Sequence, residues 1–151
     1  MVEESAEATL RQWSTEDPNR VIGRGHPVGD FLDAHAWSVV ERAPGRLRVR
    51  ATLPDRVMNL KGVLFGGFTP TYVDFFGLHV FHSLREPDAP RQWLNTLRLD
   101  VEYFAPIRGP EIGIAGEALH RKERTAHIEV RFEDAGTLCA LAHLTLLESR
   151  S

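Results

Sequence analysis

The sequence predicts an α+β domain in which one buried helix is wrapped by a single curved antiparallel sheet of five to six strands. Apolar residues over 69–84 spread around most of a helical wheel, which is typical of a helix buried on nearly all sides. On both sides of this segment, apolar and polar residues alternate with the period of half-buried strands. Short connections between these strands favour antiparallel neighbours. One helix packed against one sheet is the simplest arrangement of such elements.

Before the central helix, the chain divides into an arm and the start of the sheet. Residues 1–30 are predicted to form an N-terminal helical arm, with an exposed helix over residues 1–14, and residues 31–151 a single domain. A helical turn around Phe31 and Leu32 leads into a strand over residues 36–41. Alternation over residues 46–53 predicts a second strand, which Pro54 ends.

The central helix carries one carboxylate where its pattern requires an apolar residue. Thr69 and Pro70 are predicted as its N-cap and first helical residue, which places Gly66 and Gly67 just before or within the opening turn. Asp74 follows among apolar neighbours. A charge in such a segment is costly to bury unless it has a partner or a function, and Asp74 is therefore a candidate functional residue.

The remaining chain is predicted to form four strands. Leu97, Leu99, Val101 and Tyr103 alternate with polar residues and predict the first of them. Three more strands are predicted around residues 112–114, 128–133 and 138–146. The segments "PIRGP", "RKERT" and "DAG" are predicted to be hairpin-like breaks between them.

Composition restricts the functions that the chain could have. Its 18 basic and 21 acidic residues are interspersed and give a net charge of −3, which favours neither a nucleic-acid partner nor an anionic membrane. The single cysteine, Cys139, is predicted to be a core thiol, since one cysteine forms neither an intramolecular disulfide nor a multi-thiolate metal site. The first residues lack a secretion-signal pattern and no apolar run approaches the ~18 residues of a membrane span. We expect a cytoplasmic protein.

Two stretches carry a resemblance to a known family. The first contains Asn59, Gly62, Gly66, Gly67 and Asp74. The second is "NTLRLDVEYFAPIRG". The last two predicted strands, in "HIEVRFEDAGTLCALAHLTLL", add to the resemblance. Together they resemble the hotdog-fold acyl-CoA thioesterases, in the branch typified by the phenylacetate-pathway enzymes, over roughly residues 31–147. The resemblance implies a hotdog fold, an acyl-CoA substrate with no separate cofactor, and sites shared across a dimer interface, often in tetramers. It also implies site roles for Asn59 and Thr96.

Thioester hydrolysis requires a stabiliser for the oxyanion and a group that attacks the carbonyl or activates water. The Gly66 N–H is the predicted oxyanion donor, because N–H groups at a helix start are unpaired and lie at the positive end of the dipole. Asp74 is the predicted general base or nucleophile, and the sequence leaves both roles open. Thr96 would orient the water or the Asp74 carboxylate, and Asn59 would fix that water or the thioester.

Spacing along the helix predicts that the site is shared. Gly66 and Asp74 are eight residues apart, which corresponds to about 12 Å along a helix. A catalytic group must lie within about 3 Å of its target. We therefore expect Gly66 and Asn59 from one subunit to meet Asp74 and Thr96 from another, in a homodimer that the resemblance extends to a dimer of dimers.

One position departs from the family pattern. Phe65 stands where the family has a histidine before its glycine pair, and phenylalanine donates no hydrogen bond. Activity is expected to be weakened by this change, and a protein that binds acyl-CoA or another small ligand without turnover is the alternative. Phe65, Gly67 and Phe68 are expected to line the acyl pocket.

Three further patterns of polar residues bear on the function. His79 follows Asp74 at the spacing found in hotdog enoyl-CoA hydratases, but their Asn-Pro is replaced here, and this reading is disfavoured. His79 and His82 without further ligands make a poor metal site, and we expect no metal. A basic cluster in the "RKERT" turn is predicted to meet the phosphates of coenzyme A; its members are Arg121, Lys122 and Arg124.

Overall fold

The computed structural model describes residues 6–86, 89 and 92–150. In chain order, the elements are α1 (Ala6–Arg11), α2 (Pro27–Phe31), β1 (Ser38–Ala43), β2 (Arg46–Thr52), α3 (Thr69–His82), β3 (Leu94–Tyr103), β4 (Glu111–Lys122), β5 (Thr125–Asp134) and β6 (Thr137–Glu148). Single 3₁₀ turns lie at Ala34–Ala36 and Asp55–Val57. None of the helices in this described part has the length and apolar character needed to cross a membrane.

The strands form one antiparallel sheet around α3. Their order across the sheet is β1-β2-β4-β5-β6-β3, so β1 and β3 are the two edges. This confirms the predicted α+β class, with one long helix against a curved six-stranded sheet. Because β3 is an edge, one side of it pairs with β6 and the other side is open to a partner.

The prediction that "PIRGP" forms a hairpin is wrong. Strands β3 and β4 are not neighbours, and the chain between them passes β6 and β5 before it enters the sheet. A backbone hydrogen bond to another segment and burial of one side chain hold "PIRGP" in place. The Leu64 N–H donates to the Ile107 carbonyl at 2.8 Å, and the Ile107 side chain is buried. Turn-forming residues mark where a strand ends, but burial of residues such as Ile107 decides where the chain goes next.

Helix α3 packs closely on the sheet because glycine stands on both sides of the contact. A Cβ at Gly77 would overlap the Leu144 side chain. A Cβ at Gly116, on β4, would lie 2.5 Å from Val80 Cγ2. The core that results includes the fully buried rings of Trp37, Tyr72, Phe76, Phe81 and Phe132. One face of α3 is thereby fixed against the sheet, which determines where its other face points.

The start of α3 differs by one residue from the prediction. The N-cap is Phe68, and Thr69 is the first helical residue, followed by Pro70. A phenylalanine ring accepts no hydrogen bond, and no side chain caps this end of the helix. The Thr69 hydroxyl is buried without a partner among the described residues. Backbone N–H groups at the opening of α3 are therefore left for other acceptors.

The N-terminal arm packs against the domain. Of the helix predicted over residues 1–14, the first five residues lie outside the described range, and the observed helix is Ala6–Arg11. Ile22 joins the core, and the Trp13 and His26 rings meet edge-on at 4.6 Å. His26 caps α2 by accepting the Val28 and Gly29 N–H groups at Nδ1. Burial lowers the pKa of His26, which favours the neutral form that can accept these bonds.

Candidate active site

Asp74 and Thr96 are joined by a hydrogen bond. The Thr96 hydroxyl donates to Asp74 Oδ1 at 2.5 Å, across the gap between α3 and the edge strand β3. Asp74 is only half-buried within one protomer, in contrast to the nearly complete burial predicted for this part of the helix. The difference arises because α3 presents Asp74 on its open face, whereas the residues that flank it, Val73 and Phe75, are buried. A carboxylate with one oxygen bonded and partial access to solvent can still act on a bound molecule.

A β-bulge places Thr96 on the helix side of the sheet. The register of β3 against β6 shifts between Thr96 and Arg98, so Leu97 is an extra residue without its own pairing partner. Leu97 is 57% exposed, although strict alternation predicts that it faces the core with Leu99. A bulge reverses the side of the strand on which the preceding side chains lie. Thr96 thus joins the face that carries Leu99, and that face looks toward α3.

The glycine pair lies in a tight turn at the start of α3. The Phe68 N–H donates to the Phe65 carbonyl at 2.9 Å, which closes a four-residue turn with Gly66 and Gly67 in its centre. The Tyr103 hydroxyl donates to the Gly66 carbonyl at 2.5 Å. A Cβ at Gly66 would meet no atom within 4 Å, so the space in front of this turn is open within one protomer. The Tyr103 contact is a site feature that the sequence reasoning missed.

Asn59 organises the loop that leads into this turn. Its side-chain oxygen accepts the N–H groups of Lys61 and Val63 at 2.9 and 3.1 Å. Its backbone N–H donates to the Val63 carbonyl, and Gly62 takes a left-handed φ of 71° at the loop tip. This is the backbone-turn role of asparagine. The carbonyl oxygen of the Asn59 amide is therefore engaged within the loop, and only its amino group is placed to serve a ligand.

These contacts form two separate groups within one protomer. We call Asp74 and Thr96 the acid half-site, and Asn59, Gly66 and Gly67 the glycine half-site. Gly66 precedes α3 by three residues and Asp74 is its sixth residue, so eight residues separate the two half-sites, which corresponds to about 12 Å at the helical rise of ~1.5 Å per residue. No hydrogen bond in the described parts of the chain joins them.

Aromatic rings border the glycine half-site. The Phe65 and Phe68 rings meet with centroids 5.5 Å apart, and Phe68 meets Phe31 of α2 at 5.4 Å. Phe65 is 52% exposed, where a histidine would have offered a hydrogen bond. The three rings form an apolar surface beside Gly67, on the side predicted to receive an acyl group.

The basic cluster of the β4–β5 turn is partly engaged within the chain. Arg121 lies over the Phe81 ring at 5.3 Å and donates to the Leu84 carbonyl at 3.4 Å. Arg124 donates to the Glu148 carbonyl at 3.0 Å. Lys122 is exposed. These residues lie near the C-terminal end of α3, opposite to the glycine half-site of the same protomer, and their contact with coenzyme A stays a prediction.

Cys139 is a core residue, and His79 packs against an aromatic neighbour on α3. Cys139 is 2% exposed, and burial raises the pKa of its thiol, as expected for a core residue. The His79 ring packs edge-on against Phe75 at 4.9 Å, whereas Asp74 is bonded to Thr96. One oxygen of the Asp74 carboxylate is thus engaged by Thr96, and the hydratase interpretation stays a disfavoured prediction. Within the described ranges, no group of three metal-ligating side chains could hold a metal ion.

Comparison with known families decides the relationship of this chain. Residues 61–140, more than half of the sequence, match the thioesterase superfamily. The chain belongs to the thioesterase superfamily. The matched range runs from the loop after Asn59 to β6 and contains both Asp74 and Thr96. Comparison with curated proteins finds no match.

Solved structures of other proteins share the fold of this superfamily member. AziG from S. sahachiroi is 18% identical, with a TM-score of 0.70 over 85% of this chain and 100% of that one. A phenylacetic acid degradation-related protein from Ralstonia eutropha JMP134 is 18% identical, with a TM-score of 0.69 over 82% and 92%. The protein smu.793 from Streptococcus mutans UA159, bound to acetyl CoA, is 20% identical, with a TM-score of 0.65 over 75% and 88%. At these identities, the likeness establishes the hotdog fold.

Proposed function

We propose that this protein hydrolyses acyl-CoA thioesters to a free carboxylic acid and coenzyme A, at sites shared between two protomers. The observation that carries the proposal is the hydrogen bond from Thr96 to Asp74 on the open face of α3. Membership of the thioesterase superfamily supports the reaction class. The bound acetyl CoA of smu.793, which has the same fold, supports the substrate class.

Asp74 supplies the reactive carboxylate. Thr96 occupies Oδ1, so Oδ2 is the oxygen left to act on the substrate. As a general base, Oδ2 takes a proton from water while the water oxygen bonds to the thioester carbon. The C–S bond then breaks, and Asp74 passes the proton to the sulfur, so that coenzyme A leaves as the thiol and the carboxylate is regenerated. As a nucleophile, Oδ2 itself bonds to that carbon and displaces the thiolate, and water then hydrolyses the resulting anhydride.

The glycine half-site stabilises the oxyanion that forms in either route. The Gly66 N–H stands before the uncapped start of α3, where unpaired N–H groups and the helix dipole favour negative charge. Because Gly66 has no side chain and open space before it, a thioester carbonyl can approach its backbone closely. A preorganised donor of this kind contributes roughly 10²- to 10³-fold to turnover.

Two protomers are required to bring the half-sites onto one carbonyl. The separation of about 12 Å exceeds the ~3 Å reach of a catalytic hydrogen bond. The open edge of β3 and exposed apolar residues nearby favour a second copy of the chain as the partner; these residues are Phe65, Leu97, Tyr103 and Phe104. In this dimer, Asn59 and Gly66 of one chain meet Asp74 and Thr96 of the other. A dimer of dimers satisfies the same requirement.

The substrate needs no separate cofactor, since coenzyme A enters as part of it. The apolar surface made by Phe31, Phe68 and Phe65 borders the glycine half-site and would contact the acyl group. Lys122, with the neighbouring Arg121 and Arg124, would meet the phosphates of coenzyme A at the protein surface.

The direct test is thiol release from short, long and aromatic acyl-CoAs by wild type and by Asp74→Asn. Asparagine keeps the size of the side chain and an oxygen that can accept the Thr96 hydroxyl, but it is neither a base nor a nucleophile. We expect wild type to release thiol and Asp74→Asn to lose at least about 10³-fold in kcat, with an unchanged melting temperature. Normal turnover by a folded Asp74→Asn variant would contradict the proposal.

A binding protein without turnover is the second candidate, and Phe65 is the observation that favours it. Its exposed ring gives the site an apolar surface where a histidine would donate a hydrogen bond. Calorimetric binding of acyl-CoA with no thiol release would establish this alternative. If Phe65 only slows hydrolysis, Phe65→His should raise kcat, and the wild-type enzyme should still turn over.

A further inference from the structure

The Tyr103 hydroxyl makes a hydrogen bond, and packing of the Tyr103 ring in the core does not explain it. It is the last residue of β3, and its side chain is 52% exposed, so it is not a core ring. Its backbone is fixed, because Tyr103 pairs with Ala140 of β6 and the next residue, Phe104, donates its N–H to the Cys139 carbonyl at 2.8 Å. From this rigid position, the hydroxyl reaches the Gly66 carbonyl at 2.5 Å, 37 residues away in sequence.

The bonded carbonyl belongs to the one peptide of the turn that is able to flip. In the turn from Phe65 to Phe68, Gly66 and Gly67 are the two central residues. The peptide between the central residues has opposite orientations in type I and type II turns, and type II requires φ of about +80° at the second of them. Neither Gly66 nor Gly67 has a left-handed φ, which excludes type II and fits type I. Glycine at position 67 nevertheless makes both orientations accessible.

This peptide carries a second N–H group. Because the peptide is planar and trans, the Gly66 carbonyl and the Gly67 N–H point in opposite directions. In the type I arrangement, the Gly66 and Gly67 N–H groups point the same way, as they do at the start of a helix. Rotation to type II would turn the Gly67 N–H away. A hydrogen bond accepted by the Gly66 carbonyl also polarises the peptide and strengthens its N–H as a donor.

We propose that Tyr103 is a positioning residue that locks the Gly66–Gly67 peptide and thereby holds the Gly67 N–H beside the Gly66 N–H as a second oxyanion donor. The inference rests on the proposed thioesterase function. Packing supplies little alternative restraint, since a Cβ at Gly66 would meet nothing within 4 Å and a Cβ at Gly67 would meet only the half-exposed Phe65 ring. Tyr103 itself does not touch the substrate in this account.

The first test is Tyr103→Phe, which keeps the ring and removes the hydroxyl. We expect kcat to fall about 10-fold, a fraction of the loss for a missing oxyanion donor, with KM changed less than about 2-fold and the melting temperature unchanged. The matched control is Tyr72→Phe, which removes the hydroxyl of the other tyrosine. Tyr72 is buried, and its hydroxyl has no hydrogen-bond partner among the described residues, so its removal should leave kcat unchanged.

The second test asks whether Tyr103 acts through the turn. Gly67→Ala disfavours a left-handed φ and so resists the flip without the tyrosine hydroxyl. Its Cβ would lie 3.0 Å from Phe65 Cε1, and the half-exposed ring has room to move. We expect Tyr103→Phe to reduce kcat less in the Gly67→Ala background than in wild type. An equal reduction in both backgrounds would overturn the inference, as would an unchanged kcat in Tyr103→Phe alone.

A third measurement tests this inference separately from the proposed function. Amide ¹⁵N relaxation dispersion should show exchange at Gly67 in Tyr103→Phe and not in wild type, because a released peptide moves between two orientations. If the wild type shows no turnover, the proposed function fails and this measurement alone decides whether Tyr103 locks the turn. Absence of exchange at the Gly67 amide in both proteins would refute the proposal that Tyr103 holds this peptide in one orientation.

Discussion

Strands β3 and β5 are both ten residues long, and they have opposite characters. β5 has a partner on each side, and its burial alternates strictly through Ile128, Val130 and Phe132, which are fully buried. β3 has a partner on one side only, and a bulge at Leu97 interrupts its alternation. Two large apolar side chains of β3, Leu97 and Tyr103, are exposed, whereas those of β5 close the core.

The contrast separates the strand that stabilises the core, β5, from the strand that contacts the candidate site, β3. Among the residues that the structure describes, the polar side-chain contacts that hold the two half-sites to the sheet come from β3: Thr96 bonds Asp74, and Tyr103 bonds Gly66. β5 contributes core packing, as in the edge-on contact of Phe132 with Tyr72 at 6.4 Å. An edge strand is free to carry irregular geometry because only one neighbour constrains its register.

The largest expected effect is on stability and comes from β5. Phe132→Ala should lower the free energy of unfolding by about 3–5 kcal/mol, because it leaves a cavity in a fully buried site. The matched change on the edge strand, Leu97→Ala, should cost less than about 1 kcal/mol in the isolated protomer. Denaturant titration measures both, at a protein concentration low enough for the dimer to dissociate. Similar losses for the two variants would remove the distinction between the strands.

The next effect is on assembly and comes from the bulge of β3. Leu97→Asp should raise the dimer dissociation constant at least about 100-fold, since burial of an unpaired carboxylate costs several kcal/mol. Val40→Asp on the opposite edge strand is the control, because Val40 is 55% exposed and Leu97 57%. Analytical ultracentrifugation reports the assembly, and thiol release reports the loss of turnover that should accompany it. A dimer disrupted by Val40→Asp instead would assign the interface to β1.

The smallest of the three effects is on the acid half-site. Thr96→Val should lower kcat about 10- to 100-fold, because it removes a hydrogen bond to a charged group worth roughly 1.5–3 kcal/mol. Thr96→Ser retains the hydroxyl and should keep most of the rate. Steady-state kinetics distinguish the two, and equal rates for both variants would show that the hydroxyl has no role.

Periodicity predicted the elements of this fold well, because burial on one or on all sides leaves a local pattern. The alternation in β5 and the apolar wheel of α3 are examples, and both are confirmed by the structure. The connection after β3 was mistaken for a hairpin because pairing with β6 depends on a contact between distant segments. No local pattern reports which of several strands becomes a neighbour.

At the candidate site, the residue types were predictable and their geometry was not. Asp74 was recognisable as a charge in an apolar helix, and Thr96 from the resemblance, although strict alternation with Leu99 placed Thr96 on the wrong face. The bulge that corrects this leaves no clear trace in the sequence. Tyr103 fits the alternation of its strand, and its hydrogen bond to Gly66 joins residues 37 apart in sequence, which no local pattern predicts.

The central claim is that each site takes Gly66 from one protomer and Asp74 from the other, and subunit mixing tests it most directly. Asp74→Ala and Gly66→Leu are each expected to be inactive, and a Cβ at Gly66 would meet no atom of its own protomer within 4 Å. Randomly mixed dimers should regain about a quarter of wild-type activity, because half are mixed and each of those holds one intact site. No recovered activity, with mixed dimers verified by native mass spectrometry, would contradict the shared site.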